Sequence, residues 1–578
     1  MDLPIDLTTT LRKVKRAARM ARSGARIFRN AGLQETLNLQ TLFAVGKVAR
    51  DAGDGVRGMT MVARLHAFAD PLRPALVCGD ERLNFGELNE RINALTHGLH
   101  ALGIGPGERI AAFLHNGNEY VELNAALQAV GGQNVQISYR LKAGEVAYIL
   151  ENSRSRALLF HGDLVGVVEE ALAIAKAKGL PIVRERCIAV GGAPGFRSYD
   201  ELLAAGDPTT PVRVDGGGYG GIMIYTSGTT GRAKGASRDF KTMGLEPVLD
   251  FISRFPLRRD ERHLVVCPLY HSMAPAFVVM TVTVGGCCVI LRGFEPHEVL
   301  RTIEKERITS MLVVPTMLSR LMALSPAELR AHDTSSLRWI MSGAAPLPTE
   351  LARRVEDTFG PVLYNFYGST ETALVALALP GEHTARPGTV GRLIGGNEMR
   401  ILDGEGREVP DGEVGEIYVR NDMLMDGYYG NKEATDQAMR DGFLSVGDLG
   451  SRDKDGYIYL ADRKTDMVIS GGVNIYPWEI EQRLHEHPAV QEAAVVGVPD
   501  AEWGESLAAF IVLRAGQSAT GDELSQWIRE ALADYKRPRR YAFVDSLPRN
   551  PTGKILKREL KQTLAQANKD GSDSSVSA

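Results

Sequence analysis

The sequence predicts an α/β protein with a large layered N-terminal part, an antiparallel β portion and a small α+β unit near the C-terminal end. Its 578 residues suffice for several domains, because domains average roughly 150 residues. Hydrophobic residues make up 44% and charged residues 24%, the composition of a folded globular protein. From about Leu83 to Leu291, helix-like stretches such as Phe85 to Leu102 alternate with short apolar runs such as Ile110 to Leu114. This alternation predicts layered helices and strands.

The first 55 residues are predicted to be a basic, partly helical extension. Eight basic and no acidic residues lie between Leu11 and Asn30, and apolar residues recur there at spacings of three and four. One interpretation is a helix that lies on an anionic membrane, with peripheral contact through residues 11–30. The alternatives are a solvated helix packed on the protein body and an arginine-rich transit peptide.

The stretch from Leu264 to Leu291 has no Asp, Glu, Lys or Arg and is long enough to suggest a transmembrane helix. Prolines at 268 and 275 and a glycine pair at 285–286 interrupt it. We therefore expect a buried strand, loop, helix and strand. No secretory signal is expected, because the N-terminus lacks a continuous apolar core before a small-residue cleavage site. A cytoplasmic protein is predicted, with peripheral membrane contact left open.

Two later segments complete the predicted organisation. Met399 to Arg420 contains short alternating segments broken by Asp-Gly and Pro-Asp-Gly turns, which predicts antiparallel hairpins and a small barrel-like β part. After Asp462, a compact stretch with helix, strand and turn signals ends near Leu564. We expect a large domain at 56–462, a small domain at 463–564 and a disordered, Ser-rich tail at 565–578.

Charge and cysteine usage exclude several classes of function. Lysine plus arginine total 67 against 71 for aspartate plus glutamate, so no nucleic-acid surface spread over the whole molecule is expected. Five cysteines without CxxC spacing disfavour a disulfide framework or a zinc cluster. The formal GxGxxG at 216–221 precedes a strand instead of opening a helix, which disfavours a dinucleotide-binding loop.

The strongest functional signal is YTSGTTGRAKG, from Tyr225 to Gly235. An apolar strand runs into a loop with four hydroxyls and two glycines, followed by a lysine and a third glycine, without an acidic residue. Glycines let backbone N–H groups approach phosphate, and the hydroxyls and the lysine add donors and positive charge. The segment therefore predicts a triphosphate-binding loop, although it is not a Walker A sequence. The candidate ligands are Thr226, Ser227, Gly228, Thr229, Thr230 and Lys234.

Three later motifs also suit a nucleotide. Residues 365–371, NFYGSTE, combine an aromatic face, a glycine turn, hydroxyls and a carboxylate, a set suited to adenine, phosphate and Mg²⁺. Asp448 offers two acceptor oxygens to a ribose diol. Lys554, in the loop PRNPTGKILK at 548–557, can bridge two anions with its ammonium group.

In this order, the motifs resemble those of the adenylate-forming enzymes, which comprise acyl-CoA synthetases, peptide-synthetase adenylation domains and beetle luciferases. The resemblance runs from about Leu83 to Leu564. It implies ATP, Mg²⁺ and coenzyme A as cosubstrates and cofactor. It also implies a small, mobile C-terminal domain that rotates between two half-reactions.

The resemblance implies contacts for the matching residues of the nucleotide site. Tyr367 would lie against adenine, Thr370 would contact the α-phosphate and Glu371 would bind magnesium. The SGAAP segment at 342–346 would line the adenine and acyl pocket with its backbone, through Gly343, Ala344 and Ala345.

Further contacts are implied at the domain junction and beyond it. Asp448 and Arg463 would hold the ribose, and Gly472 would lie beside the pantetheine tunnel. The hinge position, commonly Asp or Lys in the family, is Thr465 here. Lys554 would be catalytic, together with two residues of the motifs above, Glu371 and Thr226, while the neighbouring Lys557 and Arg558 are expected to be solvated.

The substrate is predicted from the segment around His271. A histidine in an uncharged stretch is usually a satisfied core residue, but in many acyl-CoA synthetases the corresponding position flanks the acyl site. Peptide-synthetase domains place an aspartate just after the strand at 265–269 to pair with an amino group, and none occurs here. Small or pliable residues downstream are consistent with a roomy apolar pocket.

The sequence therefore predicts an ATP-dependent carboxylic acid:CoA ligase that forms acyl-AMP and releases pyrophosphate. A medium- to long-chain fatty acid is the predicted substrate, with a bulky aryl or steroid-type acid as an alternative. Two further alternatives are an acyl-AMP ligase that loads a carrier protein and a non-enzymatic, membrane-associated lipid-binding or transport protein. No nucleic-acid partner is expected.

Overall fold

The computed structural model describes residues 7–30, 44–48, 58–179, 182, 184–212, 220–226, 233–240, 244, 246–500, 502–550, 554–569 and 576–577. All structural statements below concern these residues. Within them, the chain forms a large N-terminal domain with two sheets and a small C-terminal domain with one sheet.

Helices occur along the whole described chain. They are α1 (Leu7–Asn30), α2 (Gly58–Ala69), α3 (Phe85–Ala101), α4 (Asn118–Val130), α5 (Ala143–Ser153), α6 (Val165–Ala177), α7 (Tyr199–Ala204), α8 (Glu246–Ile252), α9 (Met273–Thr283), α10 (Pro296–Glu306), α11 (Pro315–Met322), α12 (Pro326–Arg330), α13 (Thr349–Phe359), α14 (Glu382–Ala385), α15 (Lys432–Ala438), α16 (Pro477–His485), α17 (Gly521–Arg529) and α18 (Lys557–Lys569). Short 3₁₀ turns lie at Gly162–Leu164, Arg184–Arg186 and Asp534–Lys536.

The strands, in chain order, are β1 (Pro74–Cys78), β2 (Glu81–Asn84), β3 (Arg109–Phe113), β4 (Gln133–Gln136), β5 (Ala157–His161), β6 (Cys187–Val190), β7 (Arg197–Ser198), β8 (Gly221–Thr226), β9 (Lys234–Asp239), β10 (Arg262–Val265), β11 (Cys287–Ile290), β12 (Ser310–Val313), β13 (Trp339–Ser342), β14 (Leu363–Ser369), β15 (Ala373–Ala378), β16 (Thr389–Leu393), β17 (Glu398–Leu402), β18 (Gly415–Arg420), β19 (Gly427–Tyr428), β20 (Met439–Arg440), β21 (Phe443–Leu444), β22 (Asp448–Arg452), β23 (Tyr457–Arg463), β24 (Val468–Ser470), β25 (Val473–Ile475), β26 (Val490–Asp500), β27 (Gly504–Leu513), β28 (Arg540–Phe543) and β29 (Val576–Ser577).

Two sheets make up the large domain. One has fifteen strands in the order β2-β1-β11-β10-β12-β13-β14-β15-β16-β23-β22-β18-β21-β20, with β17 paired to β18, and the other has the order β19-β9-β8-β4-β3-β5-β6-β7. The run from β1 to β14 in the larger sheet is parallel. Strands β11, β12 and β13 are buried along their whole length, as strands of a parallel sheet covered on both faces must be.

The small domain is built on an antiparallel hairpin. Strands β26 and β27 pair along their length, from Val490 opposite Leu513 to Asp500 opposite Gly504, with one register shift between Val490 and Glu492. The sheet order is β25-β24-β27-β28-β29, with β26 on the other edge of β27. Helix α16 packs on β26, so the unit is α+β as predicted. Helix α18 continues to Lys569 and residues 576–577 pair with β28, so parts of the expected tail have regular structure.

Several predicted elements are confirmed. The helix expected from Phe85 to Leu102 spans Phe85–Ala101, and Asn84 and Glu87 form a capping box at its start. The uncharged stretch from Leu264 to Leu291 folds as strand, loop, helix and strand. Strands β17 and β18 form the predicted hairpin. Among the described helices, none is sufficiently long and apolar to cross a membrane.

Helix α1 confirms the predicted helical extension and lies against the protein body. The Arg19 Nε lies 2.6 Å from Glu246 Oε1 at the start of α8, and Arg16 contacts both Glu246, at 3.2 Å, and Asp422, at 2.5 Å. Among the residues whose side chains are described, Phe28 is 40% exposed and the alanines of the predicted apolar stripe are exposed as well. The helix thus packs on the body through its ion-paired side, and membrane contact remains a prediction for its outer side.

Candidate active site at the domain junction

The predicted triphosphate loop starts and ends on adjacent strands. Strand β8 ends at Thr226, which pairs with Lys234 at the start of β9. The backbone therefore brings the two ends of the loop together, as phosphate binding requires. The predicted ligands Ser227, Gly228, Thr229 and Thr230 lie outside the described residues.

Glu371 is held in place by residues that follow it far along the chain. Its side chain is largely buried, and the Tyr428 hydroxyl donates a hydrogen bond to its Oε1 over 3.1 Å. The Met425 N–H donates to the Glu371 backbone carbonyl over 2.8 Å. Lys234 Nζ lies 5.1 Å from the centre of the Tyr428 ring, within the range of a cation–π contact. Tyr428 therefore lies between the lysine of the loop and the predicted magnesium ligand.

Thr370 is fixed through its backbone by a partly buried arginine. Arg238, on β9, donates from Nη2 to the Thr370 carbonyl over 2.8 Å. Burial lowers the pKa of Arg238, while the carboxylates of Asp426 and Glu371 oppose that shift. The positive charge of Arg238 thus lies against the backbone of the turn that carries Thr370 and Glu371.

Tyr367, Asp448 and Arg463 form one hydrogen-bonded group. The Tyr367 hydroxyl donates to Asp448 Oδ2 over 2.9 Å, and Arg463 Nε lies 3.3 Å from Asp448 Oδ1. Burial raises the pKa of Tyr367 well above its usual value, and the Asp448 carboxylate adds to the shift. Tyr367 therefore stays a neutral donor. The group presents an aromatic face beside a carboxylate and a guanidinium, which suits a nucleoside.

The predicted adenine segment turns sharply after β13. Ala344 has φ of 69°, a left-handed conformation that costs energy for a residue with a side chain. Gly343 lies so close to its neighbours that an added Cβ would be 2.8 Å from the Phe366 ring and 2.9 Å from Met273 Cε. The turn therefore needs a glycine and carries local strain next to the cavities described below.

Lys554 is anchored by its own loop. Its N–H donates to Asn550 Oδ1 over 2.9 Å, and its carbonyl accepts from the Asn550 N–H over 2.9 Å. The pKa of Lys554 is lowered to about 8, mainly by burial and also by nearby Arg463, while Asp448 and Asp466 oppose the shift. The pKa of this small-domain residue therefore depends on charged side chains of the large domain.

Two adjoining cavities connect these groups. The larger, of about 2280 Å³, and the smaller, of about 220 Å³, both reach residues of the two domains. The predicted site residues that line the larger cavity are Lys234, His271, Ala344, Thr370, Glu371, Arg463 and Lys554. Those that line the smaller cavity are Ala344, Ala345, Tyr367, Asp448, Arg463 and Lys554.

Gly472 is separate from both cavities. It is exposed in the two-residue turn between β24 and β25, where Gly471 and Gly472 have φ of 57° and 82°. Two successive positive φ angles are what a tight hairpin turn requires, so the turn alone accounts for the glycine pair. The contact of Gly472 with pantetheine stays a prediction.

Lys557 is not solvated, contrary to the sequence-based expectation. Its Nζ lies 2.9 Å from Glu481 Oε1 and 3.8 Å from Asp462 Oδ2, and all three side chains are largely buried. The expectation was wrong because the partners, one on β23 and the other on α16, are brought together only by the fold.

The residues present fit a magnesium ion bound together with phosphate. In the described part of the chain, no group of three or more His, Cys, Asp or Glu side chains could hold a metal by itself. Mg²⁺ is usually bound by one or two carboxylates together with substrate phosphates and water. Glu371, buried beside the larger cavity, supplies one such carboxylate.

Comparison with known proteins decides the family. The profile of the family described as AMP-binding enzyme matches residues 64–429, and that of the AMP-binding enzyme C-terminal domain matches residues 479–554. The chain belongs to the AMP-binding enzyme family. This confirms the resemblance to adenylate-forming enzymes and, with it, an ATP-dependent acid–thiol ligase that uses ATP, Mg²⁺ and coenzyme A.

Related proteins align with most of this chain. A feruloyl-CoA synthase from Amycolatopsis sp is 37% identical over 496 residues, covering 85% of this chain and 96% of that protein. The fatty acid--[acyl-carrier-protein] ligase ScoC of Streptomyces coeruleorubidus is 33% identical, covering 87% and 96%. The crystal structure of the anthranilate CoA ligase AuaEII in complex with anthranoyl-AMP superposes with a TM-score of 0.81 at 28% identity, covering 89% and 98%.

The residues that support Glu371 and Thr370 were not predicted from the sequence. Tyr428 and Arg238 hold Glu371 and Thr370, yet Tyr428 lies 57 positions from Glu371 and no spacing in the sequence connects them. The only available signal for Arg238 was a charged residue within four positions of the loop lysine at 234.

Proposed function

We propose that this ligase activates a medium- or long-chain fatty acid as acyl-AMP and transfers the acyl group to coenzyme A. The observation that carries the proposal is the composition of the larger cavity. Its lining includes Lys554 and Glu371 together with many apolar side chains, among them those of α2, α8 and α9. The apolar lining includes Met59, Val62, Phe251, Met273, Phe277 and Val278. An acid with a long apolar tail could bury that tail against these side chains, with its carboxylate near Lys554.

The first half-reaction brings two anions together. The acid carboxylate attacks the α-phosphorus of ATP, the bond to the bridging oxygen breaks, and pyrophosphate leaves with both electrons of that bond. Mg²⁺, when bound at Glu371, would offset phosphate charge. The Lys554 ammonium donates hydrogen bonds to the carboxylate and to an α-phosphate oxygen, and thereby holds the two reactants in line. Tyr367, Asp448 and Arg463 hold the nucleoside in position.

In the second half-reaction, the thiol of coenzyme A attacks the acyl carbon of acyl-AMP and AMP leaves. This step takes place at the acyl carbon and not at phosphorus, so it does not need Lys554. We propose that the small domain then rotates, with Thr465 in the hinge and Gly472 turned toward the site.

The test is a panel of acids assayed for pyrophosphate release. Purified protein with ATP and Mg²⁺ should release pyrophosphate with acids of about 8 to 18 carbons, because each buried CH₂ adds roughly 0.8 kcal/mol of binding. Lys554→Ala should abolish this release and spare thioester formation from supplied acyl-AMP. Lys432→Ala, which changes an exposed lysine paired with Asp436, is the matched control. Loss of both half-reactions in Lys554→Ala would contradict the assigned role.

A bulky aryl acid is the second candidate. A ring cluster borders the larger cavity: the Tyr270 ring lies 4.3 Å from that of His271 and 5.6 Å from that of Tyr139. A relative with 37% identity is a feruloyl-CoA synthase. Hydroxycinnamic and steroid-type acids therefore belong in the same panel, and a higher kcat/KM for them than for every fatty acid would replace the first candidate.

The acceptor is tested separately. Free coenzyme A should yield acyl-CoA after adenylation. If acyl-AMP accumulates with free coenzyme A and is consumed only with a phosphopantetheinyl carrier protein, the carrier-loading alternative holds instead.

A further inference from the structure

Asp462 is anchored in the large domain but directs its side chain to the small one. It lies on β23, opposite Leu449 on β22, in the fifteen-stranded sheet. The small-domain sheet begins at Val468, so the segment that connects the domains follows Asp462 directly. Any contact that this carboxylate makes with the small domain depends on how the two domains are placed.

Asp462 completes the N-terminus of helix α16, which belongs to the small domain. Its Oδ2 accepts a hydrogen bond from the Trp478 N–H over 3.1 Å, and Trp478 is the second residue of the helix. The N-cap residue Tyr476 makes no capping bond with its own side chain. A carboxylate at this position satisfies a free N–H and interacts favourably with the helix dipole.

The same carboxylate shares a buried lysine with the small domain. Lys557 Nζ lies 3.8 Å from Asp462 Oδ2 and 2.9 Å from Glu481 Oε1. The side chains of Asp462, Glu481 and Lys557 are 8%, 6% and 13% exposed. Burial by itself lowers the pKa of Lys557, but the two carboxylates outweigh it and raise the pKa. Lys557 is therefore a fixed positive charge.

Only one of the two ion pairs crosses between the domains. Glu481 and Lys557 both belong to the small domain and would move together. Asp462 would lose both Trp478 and Lys557 if the small domain rotated. In the present arrangement Lys554, three residues before Lys557, lines both cavities. The contacts of Asp462 therefore favour the arrangement that places Lys554 in the site.

We propose that Asp462 is a positioning residue that latches the small domain in the adenylating arrangement by binding the N-terminus of α16 and Lys557. The proposal rests on the two half-reactions of the proposed function. It predicts that the latch supports adenylation alone, because thioester formation uses a different placement of the small domain.

The test compares the two half-reactions in Asp462→Asn and Asp462→Ala. Adenylation is measured as single-turnover pyrophosphate release, and thioester formation is measured from supplied acyl-AMP and coenzyme A. Asp462→Asn should slow adenylation roughly tenfold, since it loses a charged partner of Lys557 but retains an acceptor for Trp478. Asp462→Ala should slow it further. Thioester formation should be unchanged or faster in both variants.

The matched control is Asp455→Asn, an exposed carboxylate of the large domain that pairs with Arg386. It should leave both half-reactions unchanged. Asp462→Glu, which keeps the charge, should recover adenylation relative to Asp462→Ala. Equal slowing of both half-reactions in Asp462→Asn, no slowing at all, or a Glu variant no better than the Ala variant would overturn the latch.

Limited proteolysis tests the latch independently of the enzyme activity. The exposed Lys464 follows in the connecting segment and is a trypsin site. Tryptic cleavage there, measured well below the melting temperature of each variant, should be several times faster in Asp462→Asn than in wild type or Asp455→Asn. Equal cleavage rates would contradict the latch whatever the enzyme's substrate. If wild type releases no pyrophosphate with any acid, the proposed function fails, while the cleavage result still decides whether Asp462 holds the domains together.

Discussion

In the proposed reaction, the protonation of Lys554 sets the upper pH limit for adenylate formation, and this limit can be measured. Burial lowers the pKa of this lysine from 10.5 to about 8. Only the ammonium form can bridge the carboxylate and the α-phosphate. The kcat/KM for adenylation should therefore fall about tenfold per pH unit above pH 8, with about a tenth of the enzyme still protonated at pH 9.

Bound ATP changes the expected profile in a defined direction. The triphosphate adds negative charge near Lys554 and favours the ammonium, so the pKa seen in kcat should be higher than that seen in kcat/KM. The loss of activity above pH 8 is not explained by unfolding of the protein. The unfolded chain holds the Lys554 proton more tightly than the folded protein does, so this group makes folding more favourable as pH rises from about 8 to about 10.5.

The assay is direct chromatographic detection of pyrophosphate between pH 6.5 and 10, because coupling enzymes have pH profiles of their own. Thioester formation from supplied acyl-AMP provides the internal comparison. Its rate should not show the fall above pH 8 that deprotonation of Lys554 causes, which is called the Lys554 limb below. Lys554→Arg should be slower but should lose the limb as well, since a guanidinium stays charged throughout this range. A wild-type kcat/KM that stays flat to pH 9.5, or an Arg variant that retains the limb, would refute the assignment.

Three further changes test other parts of the structure. Glu371→Gln should raise the Mg²⁺ concentration needed for half-maximal pyrophosphate release at least about tenfold, since a neutral amide is a weak magnesium ligand; an unchanged titration would exclude Glu371 as that ligand. Gly343→Val should destabilise the fold by about 1–3 kcal/mol through overpacking and raise KM for the acid, both measurable by denaturant titration and kinetics. Replacing Arg22, Arg26 and Arg29 by Glu should abolish binding to anionic vesicles if the outer side of α1 contacts membranes, and unchanged binding would dismiss that contact.

The candidate site was predictable to the extent that it consists of local motifs. The turn that carries Thr370 and Glu371, and the loop that carries Lys554, each lie in a short segment whose residue types already suit an anion or a nucleotide. Tyr428 and Asp462 could not be found in this way. Each acts on a partner from a distant segment, and a side chain's distant neighbours are not encoded in its spacing from adjacent residues.

By itself, the sequence determined the α/β class, the hairpin at 399–420, the helical N-terminal extension and the motifs of an adenylate-forming ligase. Periodicity, turn residues and loop composition are local properties, and they persist in whatever tertiary context the segment adopts. Only the tertiary structure decided that Lys557 is buried between two carboxylates, that the glycine pair at 471–472 forms an exposed hairpin turn, and that α1 packs on α8. Those outcomes depend on which distant residues come into contact in the folded protein. Burial makes unpaired charges costly, and burial is a property of the assembled fold.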